Sequence, residues 1–116
     1  MPSFRTLAAA EALTWMFDAV EHDRPYSLFD MRDTQSYERG HMPGAQPLSE
    51  RELDRWIGRL PRHRPILVYC DYGNASRTIA QAFADFGHTE VYSVDGGFHA
   101  LAHAWQHARA ALRGAA

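Results

Sequence analysis

A chain of 116 residues with 46% hydrophobic side chains is long enough to bury a real core, and the expected organisation is one domain over residues 1–116. Its net charge of −2 and pI near 6.4 offer no basic field to hold nucleic acid or an anionic membrane, which excludes both as partners. All 12 Lys+Arg positions are Arg, so no lysine is on hand as a Schiff base or general base.

The start, Met1-Pro2-Ser3-Phe4-Arg5, lacks the pattern of a secretory signal, and no stretch is apolar for long enough to span a bilayer. The expected setting is cytoplasmic. Helical and strand-like patterns then alternate, which argues for an α/β domain with a parallel sheet. A short strand is expected near Ser3–Arg5, then a helix over Leu7–Val20 with Leu13, Met16, Phe17 and Val20 on its buried stripe. A strand over Ser27–Met31 leads into a polar turn at Arg32–Ser36, and Gly44–Leu48 supplies another short strand. Ser49 and Glu52 form a capping box for a helix whose Leu53, Trp56, Ile57 and Leu60 repeat at core spacing. Pro61 and Pro65 bracket the next loop. The apolar run Ile66–Tyr69 reads as a buried strand, and the pattern from about Thr78 to Phe86 as a helix burying Ile79, Phe83 and Phe86, with Gly87 at its C-terminal cap. A strand near Glu90–Val94 and a helix near Gly97–Arg113 complete the domain, the last with Phe98, Leu101, Trp105, Ala108 and Leu112 as its core stripe.

Between the strand at Ile66–Tyr69 and the helix that follows stands Cys70, the sole cysteine. A thiol there faces the backbone N–H groups of a loop and the positive end of a helix dipole, and both favour the reactive thiolate. A lone cysteine after an apolar strand is often only a small buried hydrophobe. Gly73 and Asn74 argue against that here, because they tolerate the positive φ that curls amides inward. One cysteine also means no disulfide, no cysteine metal cluster and no resolving thiol, so a covalent intermediate must be discharged by an outside acceptor. In an open parallel sheet ligands sit at the carboxyl ends of the strands, where Cys70 and Asp30 both fall. His99, His103 and His107 recur at i, i+4 and i+8, a spacing that can bind zinc, but they face away from the core stripe and read as a solvated face. No metal and no cofactor is assigned.

The loop resembles the Cys-x5-Arg site of tyrosine phosphatases with the Arg one residue late: Ser76 holds the position such a site needs, and Arg77 follows. The longer match is elsewhere. Leu28-Phe29-Asp30-Met31-Arg32-Asp33 with Tyr37–Ala45, then Ile66–Cys70 with Gly73-Asn74, then Val91-Tyr92-Ser93-Val94-Asp95-Gly96-Gly97-Phe98, resembles in order the signatures of the rhodanese family, in its single-domain bacterial thiosulfate sulfurtransferase form. The resemblance covers about residues 26–100. It implies a rhodanese-like α/β fold, a five-stranded parallel sheet flanked by helices on both faces, and transfer of sulfur through a Cys70 persulfide. The donor it implies is thiosulfate or another sulfane-sulfur compound, and the acceptor cyanide, a small thiol or a thioredoxin-like protein. Asp71, Tyr72, Gly73, Asn74, Ala75, Ser76 and Arg77 form the substrate-binding loop, with Asp30 and Arg32 beneath it as its support or as an ordinary ion pair at a strand end. Tyr72 and Phe98 wall the pocket, and His41 anchors the Gly40–Gly44 turn.

Three positions depart from the family pattern. Ala75 offers no side-chain donor where relatives carry Ser, Thr or Arg. Asp71 sets a negative charge beside Cys70 that opposes a thiolate and repels dianionic thiosulfate unless it turns outward. Leu101 stands where Trp usually follows the Gly-Gly-Phe segment. The alternatives are a relay fed by a protein or small-molecule persulfide, a non-catalytic rhodanese-like module that recognises a partner protein and, last, a phosphatase.

Overall fold

Five short strands lie side by side and all parallel in the order β1-β5-β4-β2-β3, in a computed structural model that describes residues 3–115, with side chains described as far as residue 111. They are β1 (Arg5–Ala8), β2 (Ser27–Asp30), β3 (Gln46–Pro47), β4 (Ile66–Tyr69) and β5 (Val91–Asp95). The central β4 is buried at every position, as expected of a strand covered on both faces. Its side chains alternate between two cores. Leu67 and Tyr69 join Leu28, Tyr92 and Val94 beneath α1 (Ala9–Glu21) and α5 (Gly97–Ala115). Ile66 and Val68 join Phe29 and Val91 beneath α3 (Leu53–Arg59) and α4 (Ala75–Asp85), where Ile57, Ile79, Ala80 and Phe83 close the second layer. The parallel sheet with helices on both faces is therefore present. Among the described residues no helix is long and apolar enough to cross a membrane.

Several boundaries shift, each for a physical reason. The first strand runs over Arg5–Ala8 and not Ser3–Arg5, because an edge strand goes where its neighbour is: Arg5 pairs with Tyr92 and Ala8 with Asp95. Helix α1 starts at Ala9 and buries Ala9, Ala12, Leu13, Met16 and Ala19. Phe17 and Val20 are exposed. The small alanines let α1 lie close to the sheet, and Phe17 falls at the edge against Trp105, with ring centroids 5.7 Å apart. The polar turn at Arg32–Ser36 is instead the start of a helix, α2 (Thr34–Arg39), capped by Asp33, whose carboxylate accepts from the Ser36 N–H at 2.8 Å. The Ser49 hydroxyl donates to the Glu52 carboxylate at 3.1 Å and accepts no backbone N–H, so the capping box does not form, and a single 3-10 turn at Glu50–Glu52 precedes α3. Helix α4 starts three residues early, at Ala75, and Phe86 lies exposed beyond its end, where Gly87 at φ +96° turns the chain. On α5 Leu101 is buried, Phe98, Trp105 and Ala108 are half-buried, and His99, His103 and His107 are exposed; Leu112 lies outside the residues whose side chains are described.

Candidate active site

Because every strand is parallel, their carboxyl ends share one rim, and β4 delivers Cys70 there, 6% exposed. The chain turns sharply at Gly73, φ +101°, and aims its N–H at the Cys70 Sγ from 3.1 Å. The Ser76 N–H reaches the same sulfur at 3.3 Å, and its hydroxyl lies 3.4 Å away. Ser76 is in the first turn of α4, whose leading N–H groups have no partner inside the helix. Asn74, in the N-cap position, makes no side-chain cap. The sulfur takes that place. Burial pushes the Cys70 thiol up, but the hydrogen bonds of the Ser76 side chain, the Ser76 and Gly73 amides and the Tyr72 amide outweigh it and hold the thiol below its ordinary value.

The loop keeps this shape because the turn between β5 and α5 packs on it, backbone against backbone. A Cβ on Gly73 would stand 2.8 Å from the Gly96 nitrogen and 3.1 Å from the Val94 carbonyl oxygen. One on Gly97 would strike the Cys70 carbonyl oxygen. The next residue, Phe98, donates its N–H to that carbonyl at 2.7 Å.

Asp30 and Arg32 form a buried ion pair at the end of β2. The guanidinium holds both carboxylate oxygens, with Nη2 at 2.8 Å from Oδ2, and also donates to the Gly40 carbonyl at 2.7 Å. Asp30 is fully buried. The pair acts on the loop at one remove: the Arg32 guanidinium lies 3.6 Å from the centroid of the Phe98 ring, and Phe98 holds Cys70. Desolvation lowers the Arg32 guanidinium, but its bond to Asp30, aided by the fields of Asp30 and Asp71, leaves it raised and firmly charged. His41 stacks on Tyr37 at 3.9 Å and bonds its carbonyl at 3.0 Å, tying down the Gly40–Gly44 turn.

The rest of the loop faces outward. Asp71 and Ala75 are exposed. Arg77, exposed, pairs with Asp95 at 3.1 Å. Tyr72, exposed, stacks on His99 at 4.5 Å and 8° between planes. Sequence patterning passes over that use of His99, and over Ser93, whose Oγ lies 2.7 Å from the Ser76 Oγ. Ser93 has a signal: it is the lone polar residue in the apolar run Val91–Val94, and it is fully buried.

A profile of the rhodanese-like domain matches residues 9–104. The thiosulfate sulfurtransferase GlpE of Shewanella oneidensis is 36% identical over 110 residues, covering 95% of this chain and the whole of that relative. A solved structure from Rhodopseudomonas palustris, a protein of unknown function described as a possible tyrosine phosphatase, superposes with a TM-score of 0.73 at 26% identity, over 87% of this chain and 81% of that one. A rhodanese-like domain protein of Staphylococcus aureus shares the fold at 16% identity, with a TM-score of 0.69 over 84% of this chain and 91% of its own. A profile match over most of the length, a relative aligned end to end and a common parallel sheet lead to one conclusion: the chain belongs to the rhodanese-like domain family.

Proposed function

We propose that this protein is a sulfurtransferase that takes sulfane sulfur from thiosulfate and passes it to cyanide or a thiol through a persulfide on Cys70. The observation that carries the reading is the convergence of the Gly73 and Ser76 amides on one sulfur atom at the start of α4. A ring of donors so tight suits a thiolate or persulfide anion; a phosphoryl group needs a wider cradle and an arginine turned inward, and Arg77 is paired with Asp95. The near-full-length relative named as a thiosulfate sulfurtransferase supports the same reading.

In the first step the Cys70 thiolate attacks the outer sulfur of thiosulfate. An S–S bond forms between the Cys70 Sγ and that outer sulfur, the S–S bond of thiosulfate breaks, and sulfite leaves with the electron pair. The single negative charge on the enzyme moves from the thiolate to the persulfide. In the second step cyanide attacks the outer persulfide sulfur and leaves as thiocyanate, restoring the thiolate. Splitting the transfer this way is covalent catalysis, and preorganised N–H donors stabilise the sulfur anion at both stages. Asp71 to Arg77 form the loop that receives the donor, while Asp30 and Arg32 hold it through Phe98. With no second cysteine to resolve the persulfide, the acceptor is external, a small thiol or a thioredoxin-like protein, in a reducing, cytoplasmic setting. One observation favours a persulfide donor as the second reading: Arg77 is engaged by Asp95 and Ala75 carries no donor, so the loop offers a sulfonate no free side-chain cation.

The test is intact-protein mass spectrometry of wild type and Cys70→Ser after incubation with thiosulfate. The expected result is a one-sulfur adduct on wild type alone, released by cyanide as thiocyanate. A folded wild type that keeps a free thiol and gains no sulfur rejects thiosulfate as donor, and transfer retained by Cys70→Ser rejects the mechanism.

A further inference from the structure

Behind the sulfur lies a buried polar pair of which the chemistry above uses Ser76 but not Ser93. Ser76 and Ser93 are both fully inaccessible to solvent, one on α4 and one on β5, and their hydroxyl oxygens are 2.7 Å apart, the ordinary length of a good O–H···O bond. Ser76 Oγ is also 3.4 Å from the Cys70 Sγ. Among the described residues the Ser93 hydroxyl has no other hydrogen-bond partner. Each serine could in principle be no more than filler that satisfies the other.

Counting protons decides between the two readings. If Cys70 is a thiol that donates to Ser76, either serine can donate to the other, and in both cases one buried hydroxyl proton is left without an acceptor: that of Ser93 if Ser76 donates, that of Ser76 if Ser93 donates. A buried donor left unmade is unfavourable. If Cys70 is a thiolate, Ser93 donates to Ser76 and Ser76 donates to the sulfur. Both hydroxyl protons are then placed and none is left over. The chain is balanced by an anion and carries one proton too many for a donating thiol. Its bonds also reinforce one another, since a hydroxyl that accepts a hydrogen bond donates a stronger one.

We infer that Ser93 is a positioning residue of the sulfur site, whose hydroxyl turns the Ser76 hydroxyl into the orientation that donates to Cys70 Sγ. It touches no substrate and acts wholly through Ser76. The inference rests on Cys70 working as an anionic sulfur, the reading given under the proposed function.

The test follows the pH dependence of Cys70 alkylation by iodoacetamide, in the full chain and with no sulfur donor present. Ser93→Ala should move the midpoint up by about one pH unit, leaving roughly tenfold less thiolate below it. In a Ser76→Ala background the same change should move nothing further. Ser93→Thr and Ser93→Val share shape and any packing cost and differ in the hydroxyl, so Thr should keep a lower midpoint than Val even if the Ala variant does not fold. A folded Ser93→Ala with the wild-type midpoint, or equal midpoints for Thr and Val, overturns the inference. Failure of sulfur transfer registers separately, as a missing adduct on wild type in the mass measurement.

Discussion

At the Cys70 sulfur two effects compete: removal from water disfavours the anion, and hydrogen bonds from loop and helix favour it. The donors win because they are fixed in place before any substrate arrives. What the site lacks is help for the far end of the donor. Ala75 is the first residue of α4, exposed beside the sulfur loop, and its methyl group can bond nothing. A serine there adds one hydroxyl near the path of a sulfonate at little expense to the helix, since Ser and Ala differ by only about 0.5 kcal/mol in propensity. A hydrogen bond to a charged group is worth about 1.5–3 kcal/mol when well made, and an exposed one less. Ala75→Ser should therefore lower the apparent KM for thiosulfate by about three- to tenfold, with kcat little changed, in steady-state assays with cyanide as acceptor. An unchanged KM would mean that this hydroxyl plays no part in holding the donor.

At the scale of elements, the loop is held by the β5–α5 turn, and Gly73 is where the two backbones meet. Alanine there must adopt φ near +101° and put its Cβ 2.8 Å from the Gly96 nitrogen. Backbone strain of that kind is worth about 1–3 kcal/mol before the clash is added. Gly73→Ala should therefore lower the melting temperature by several degrees and, by moving one amide off the sulfur, raise the midpoint of Cys70 alkylation. A variant that melts and titrates like wild type would show that the turn does not hold the loop. The same elements show what sequence can and cannot reveal. Ile66–Tyr69 and Val91–Val94 are legible because strands covered on both faces are nearly continuous apolar runs. The start of α4 is not, since Asn74, a residue type that usually caps with its side chain, makes no such bond, and the group that takes the first-turn amide of Ser76 is the Cys70 sulfur. Helix α2 is short, polar and without a buried residue, so Asp33 and Ser36 look the same in sequence as a plain turn. Cys70 and its glycine loop are local and could be read. Ser93 against Ser76, and Arg32 against Phe98, join residues far apart in the chain, and no local pattern pairs them.

Across the whole molecule, a lowered thiol couples folding to pH. Below the folded value of Cys70 both the native and the unfolded chain hold the proton, and the sulfur adds nothing to stability. Between that value and the ordinary thiol value of about 8.5 the unfolded state binds more protons than the native state, so stability rises with pH. Above the ordinary value both are deprotonated and the gain is complete and constant. Other groups move with pH as well. Burial, partly offset by the Ile57 carbonyl, holds His88 below its ordinary value, so it withdraws stability as the solution turns acidic. Burial raises Tyr26, Tyr69 and Tyr92, which matters in strong base. All of them are present equally in a Cys70→Ser variant, where a hydroxyl replaces the titrating thiol, so the difference between the two proteins isolates the sulfur. Urea unfolding of both across roughly pH 6 to 9.5 should show wild type gaining on the variant as pH rises, by about 1.4 kcal/mol for each unit by which the thiol is lowered, then running parallel to it above about pH 8.5. A gap that stays flat through that window would mean that the folded chain does not favour the anion, and a gap that narrows would mean that burial outweighs the hydrogen bonds of Ser76 and Gly73.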